Sequence, residues 1–182
     1  MTWQNIPGWF NWAPFYDRAI ASAPHGSTLV EIGVYMGRSF AYLASRAKAA
    51  NKSLRVIGVD TFQGSAEHVH LRDKCPEFLV SECYRNLSRC GLIDDVTLIV
   101  ADSGRASMLF GTGTLHMVFI DAAHDAESVR RDLQLWAPKV HVDGMLGGDD
   151  YLNDAFPGVK AEVDRFFGDM VRNPGYWWEV RR

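Results

Sequence analysis

Cysteine is scarce in this chain: three in 182 residues, at positions 75, 83 and 90, odd in number and without Cys-x-x-Cys spacing. That argues against a disulfide framework and against the usual zinc and redox motifs, so reduced thiols in a cytoplasmic protein are expected. No apolar run approaches the roughly 20 residues of a membrane span, and the opening Met1-Thr-Trp-Gln-Asn-Ile-Pro-Gly-Trp-Phe10 has no charged region followed by an apolar one. Neither membrane insertion nor secretion is expected. An excess of one charge is also missing: 19 Lys and Arg stand against 22 Asp and Glu, for a net charge of -3, with no basic stripe. A dedicated nucleic-acid binder is therefore not expected, and a small-molecule partner fits better. Repeats, linkers and low-complexity stretches are absent too. With 47% hydrophobic residues the chain can bury one substantial core and little more, so residues 1–182 are expected to form a single domain.

What is present is an alternation of short Val- and Ile-rich runs with longer amphipathic segments, the pattern of an α/β protein whose mostly parallel sheet is flanked by crossover helices. Strands are expected at residues 28–33, 54–60, 96–100, 117–121 and 140–147, with a sixth at 176–180. Helices are expected near 37–50, 77–90, 105–110, 126–136 and 159–171. Trp3, Trp9, Phe10, Trp12, Phe15 and Tyr16 give residues 1–25 an aromatic face suited to covering the sheet or a pocket. Residues 61–76 show no clear pattern, and a loop of that length in a compact domain is often functional.

The first strand runs into Glu31-Ile-Gly-Val-Tyr-Met-Gly-Arg-Ser39. Gly33 at the strand exit and Gly37 at the helix start allow a tight bend whose amides and helix N-terminus suit a carboxylate or phosphate. The Gly-x-Gly-x-x-Gly of dinucleotide sites is lacking, because Tyr35 stands where the second glycine would admit a pyrophosphate. Acids recur at successive strand ends: Glu31, Asp60, Asp102, Asp121 and Asp149. Asp60 is placed to accept from both hydroxyls of a ribose. Glu31 suits an amine, and Asp102 with Ser103 an adenine. A lone Asp at a strand end is commonly a helix cap, but a series of five is not readily explained that way.

Two runs carry the chemistry. Leu115-His-Met-Val-Phe-Ile-Asp-Ala-Ala-His124 ends in Asp121 with His124 three residues on, and Val140-His-Val-Asp-Gly-Met-Leu-Gly-Gly-Asp-Asp-Tyr151 ends in Asp149 and Asp150. If these ends are neighbours, three carboxylates and an imidazole converge at the carboxyl edge of the sheet, where open α/β folds place ligands. That set suits a hard divalent cation with a base beside it.

These motifs resemble class I S-adenosylmethionine-dependent methyltransferases, and among them the metal-dependent O-methyltransferases. Residues 31–39 are similar to the first motif of the catechol type. Gly58-Val-Asp-Thr-Phe-Gln-Gly64 and Phe119-Ile-Asp-Ala-Ala-His-Asp125 are closer to the macrolide-sugar and cephalosporin-hydroxylase-associated branch. The resemblance covers about residues 30–151. It implies a Rossmann-like class I fold of about six or seven strands, and S-adenosylmethionine held by Glu31, Gly33, Tyr35, Ser39, Asp60, Thr61, Asp102, Ser103 and Asp121. Ser39 and the turn amides would take the cofactor carboxylate. It further implies Mg²⁺ on Asp121, Asp149 and Asp150, with His124 as general base, its unperturbed pKa of about 6.5 suiting that task.

The implied reaction is methylation of a hydroxyl on a small molecule, a sugar or another acceptor with vicinal oxygens. Acceptor selection would fall to residues 61–76, to the aromatic amino terminus and to the surroundings of Tyr151; His68 and His70 in that loop are expected to be solvated, with acceptor contact or transition-metal binding as the alternatives. A single strand follows the last expected helix, where that fold ends in an antiparallel pair, and about 25 residues precede the first strand. The pocket is thus expected to be open or completed by another subunit. Trp177 and Trp178, expected exposed on an edge strand, would invite a homo-oligomer. Two other readings remain at this point: an NAD-dependent Rossmann-like oxidoreductase, and a methyltransferase-like module that binds without catalysing.

Overall fold

The computed structural model describes residues 1–64, 77–172 and 175–181. Six strands form one sheet in the order β3-β2-β1-β4-β5-β6: β1 Thr28–Ile32, β2 Arg55–Asp60, β3 Val96–Val100, β4 Leu115–Ile120, β5 Val140–Gly148 and β6 Trp178–Arg181. The first five are parallel, and β6 pairs antiparallel with β5. The helices are α1 Ala13–Ser22, α2 Arg38–Ala49, α3 Phe78–Arg89, α4 Ser103–Ser107, α5 Ala126–Trp136 and α6 Pro157–Phe167. None of these is long and apolar enough to cross a membrane.

The layers follow from strand parity. β1 and β4 are buried along their whole length, as continuous apolar runs covered on both faces should be. Leu29, Met117 and Phe119 turn toward α1, α2 and α3, while Val30, Ile32, Val118 and Ile120 turn toward α4, α5 and α6. The aromatic amino terminus serves the first layer: Trp12 stacks on Phe119 with centroids 4.9 Å apart, and Phe15 lies 5.1 Å from the same ring.

Three expectations shift. The fourth helix begins at Ser103 because the Asp102 carboxylate caps it, accepting from the amides of Gly104 and Arg105. The last helix ends at Phe167, where Gly168 at φ 54° leaves helical geometry. Trp177 and Trp178 are buried, not exposed: Trp177 packs on Phe15 and under Arg18, and Trp178 on Phe167. An edge strand still has two faces, and here both are covered, which removes that basis for an oligomer.

Candidate active site

Strand order reverses between β1 and β4, and the crevice at their carboxyl ends opens into a cavity of about 850 Å³. Its first wall is the turn after β1. Gly33 sits at φ 87°, Tyr35 at 52° and Gly37 at 91°. A Cβ at Gly33 would lie 1.7 Å from the Asp121 carbonyl oxygen, so this position admits glycine alone. The amides of Val34 and Tyr35 donate to Asp60 Oδ2 at 2.7 and 2.8 Å, and the amide of Phe62 donates to Oδ1 at 2.7 Å. Asp60 therefore clamps the turn it was expected to face across a ribose. The same bonds occupy the turn amides expected to meet a carboxylate. Asp60, Thr61, Tyr35 and Ser39 nevertheless all line the cavity. His68, His70 and the rest of residues 65–76 lie outside the described residues.

Glu31 departs further from expectation. It shares the parity of Leu29, points between α1 and α2, is 0% exposed and does not border the cavity. Tyr16 donates to its Oε2 at 2.7 Å and Ser39 to its Oε1 at 2.5 Å. Burial, reinforced by the charges of Asp121 and Asp60, pushes Glu31 up to about 8 against the pull of those hydroxyls. The folded protein thus binds a proton there that the unfolded chain releases near its ordinary value of 4.5. That contribution to stability is full below 4.5 and is lost as pH rises toward 8. Urea denaturation across that window should show wild type losing stability relative to Glu31→Gln as pH rises. Parallel curves would show that Glu31 does not take up a proton on folding.

At the far wall, Asp102 caps α4 and pairs with Arg131 at 2.7 Å. Ser103 donates to Asp132. Asp132 was not anticipated. It is 4% exposed, lines the cavity, and burial raises its pKa to about 6. Its signal was available, since it interrupts the buried stripe Val129, Leu133 and Trp136 of α5.

The two remaining strand ends meet as expected. His124 Nε2 lies 2.9 Å from Asp150 Oδ2 and 3.9 Å from Asp121 Oδ1. Asp121, His124 and Asp150 each offer one ligand atom within 4.8 Å of the others. His124, not Asp149, completes that group. Asp149 stands beside it, with Oδ1 buried and lacking a hydrogen-bond partner among the described residues. Burial, then the neighbouring charges of Asp121 and Asp150, push it up to about 8. Burial works against a charged His124, but the hydrogen bonds and charges of Asp121 and Asp150 outweigh it and raise the imidazole to about 10. The ordinary value expected of the base is thus displaced, because His124 acts as the counter-cation of two carboxylates. Oxygen donors gathered at one point, with an orphaned carboxylate oxygen alongside, fit a hard divalent cation.

Residues 30–151 match the family model described as methyltransferase domain. The chain belongs to that family. This methyltransferase shares its fold with CalS11, described as a TDP-rhamnose 3'-O-methyltransferase of calicheamicin biosynthesis. The two are 17% identical over 93% of this chain and 77% of that one, with a TM-score of 0.69. The O-methyltransferase NovP is 20% identical over 94% and 79%, with the same TM-score. An S-adenosylmethionine-dependent O-methyltransferase from Thermotoga maritima is 14% identical over 97% and 67%, at 0.65. No curated protein matches significantly. The fold is the α/β fold of these O-methyltransferases, and the family matched is a methyltransferase family. That sets aside the NAD-dependent reading.

Proposed function

We propose that this methyltransferase transfers a methyl group from S-adenosylmethionine to a hydroxyl of a small molecule bearing vicinal oxygens, such as a sugar, and that it requires Mg²⁺. The observation that carries this reading is the convergence of Asp121, His124 and Asp150 in the wall of the cavity at the carboxyl ends of β1 and β4. Attack on a sulfonium methyl is an in-line displacement whose weak partner is the neutral hydroxyl. A divalent cation held there would lower the hydroxyl's pKa and fix its line of approach. The residues that would hold it are Asp121 and Asp150, and the buried, unpartnered Oδ1 of the adjacent Asp149 is a further oxygen donor available to it. Asp150 orients the imidazole of His124, which would take the acceptor proton once a cation on Asp121 and Asp150 offsets the carboxylate charge that otherwise keeps the ring protonated.

A mixed-sign surface without a basic stripe supports a small acceptor over nucleic acid. The free thiols of Cys83 and Cys90 fit the reducing cytoplasm. The test is calorimetric titration of S-adenosylmethionine into the protein, followed by a screen of sugars and catechol-like diols with Mg²⁺ and with a chelator. One-to-one binding and chelator-sensitive methyl transfer are expected. Binding with no transfer to any hydroxyl acceptor would favour the non-catalytic module, and transfer indifferent to chelator would remove the metal from the reading.

A further inference from the structure

His124 is held from two sides. At its edge stands the Asp150 carboxylate, 2.9 Å from Nε2. On its face lies Phe156, with centroids 4.2 Å apart and ring planes 22° from parallel. The chain between these two residues is closed on itself. Asn153 Nδ2 donates to Asp150 Oδ1 at 2.7 Å, the Phe156 amide donates to the Asn153 carbonyl at 2.9 Å, and the Val159 amide donates to the Phe156 carbonyl at 3.0 Å. A second contact reaches the same loop independently. At Gly158 a Cβ would come within 2.9 Å of the Ala126 amide nitrogen and 3.2 Å of the His124 carbonyl oxygen. The start of α6 is therefore pressed against the His124 loop by both ring and backbone. Phe156 is only partly buried, and it borders the cavity.

We infer that Phe156 is a positioning residue for His124: stacked on the imidazole face while Asp150 holds its edge, it sets the ring's orientation toward the acceptor and keeps water off that face. This rests on the assignment of His124 as base. An aromatic ring is needed because an imidazole held only at its edge can still rotate about its remaining torsions, whereas a parallel plane at stacking distance blocks that rotation. Stacking depends on flatness, so an aliphatic residue of similar bulk would fill the space and leave the ring free to turn.

The test begins with the ring, not with turnover. In protein carrying ¹³C-labelled histidine, the His124 ring signals should show an upfield ring-current shift and the relaxation of a rigid side chain. Phe156→Leu should lose the shift and gain fast motion, and Phe156→Tyr should keep both. With whichever diol proves active, Phe156→Leu should lower kcat on the order of 10²-fold while KM for S-adenosylmethionine stays put, and Tyr should restore kcat. If the Leu variant fails to fold, Phe156→Met replaces it at nearly constant volume. A His124 ring as rigid in the Leu or Met variant as in wild type overturns the inference, as does a loss of turnover expressed wholly in KM. Absence of methyl transfer in wild type would overturn the proposed reaction instead, and the ring measurement would still decide the role of Phe156.

Discussion

Gly33→Ala is expected to leave little folded protein. The new Cβ would sit 1.7 Å from the Asp121 carbonyl oxygen and 2.5 Å from its carbon, and these are backbone atoms of the neighbouring strand end, which no rotamer change can move. The Asp121 amide donates to the Ile32 carbonyl at 2.7 Å, and the Gly33 amide donates to Val59 at 2.9 Å. Making room therefore means parting β1 from β4 or β2 at the centre of the sheet. The residue's φ of 87° adds a penalty of its own. Together these belong with the rare single substitutions that cost on the order of 4 kcal/mol or more, a large share of the roughly 5–15 kcal/mol that holds a domain together. Gly113→Ala is the control: its φ of 67° is also left-handed, but its Cβ would meet nothing within 4 Å, so only the conformational penalty of roughly 1–2 kcal/mol applies. Urea denaturation of both variants checks the contrast. Equal losses at the two positions would mean that the strand ends yield more easily than their hydrogen bonds imply.

The same crowding explains how much of the molecule could be read in advance. β1 and β4 were legible because strands covered on both faces must be apolar throughout, and the Gly33 turn because its glycines stand at a strand exit and a helix start. The strand-end acids were legible as a series, yet their individual duties were not. Periodicity says which way a side chain points, and for Glu31 it pointed away from the cavity toward Tyr16 and Ser39. What periodicity does not give is whether the protein itself satisfies a carboxylate. Asp60 is satisfied by three amides and Asp102 by a helix start and Arg131. Asp149 was visible as an acid at a strand end, but its place outside the Asp121, His124 and Asp150 group was not, because a ligand atom's aim depends on the backbone. Asp150 takes φ 61° and its side chain swings to His124. Phe156 had no signal at all. Its partner lies 32 residues away in sequence, and an aromatic ahead of Pro157 reads as an ordinary helix entry.

Asp121→Asn should abolish methyl transfer while leaving the protein folded. The position has two separate duties. Its backbone carries the β1–β4 contact and is untouched by the substitution, whereas its carboxylate serves only the cavity, facing His124, Asp150 and Asp149. Burial above all raises the Asp121 pKa, and Asp150 and Asp60 push in the same direction. Removing the charge thus relieves repulsion among buried acids, and stability near neutrality should not fall by more than about 1 kcal/mol. The cost falls on function. Losing a cation-binding carboxylate removes several kcal/mol of transition-state stabilisation, and at 1.36 kcal/mol per tenfold that is on the order of 10³ in kcat. A second readout does not depend on turnover. Mg²⁺ that binds the native state raises the melting temperature by mass action, and that rise should be present in wild type and absent in Asp121→Asn. The variant should also alter His124. With one of its two carboxylates gone, the imidazole holds its proton less tightly, so the stability that this proton provides, full below 6.5 and lost as pH rises toward about 10 in wild type, should be lost at lower pH. Full turnover in Asp121→Asn would mean that this carboxylate holds no metal, and an unchanged Mg²⁺ response would place the cation elsewhere on the protein.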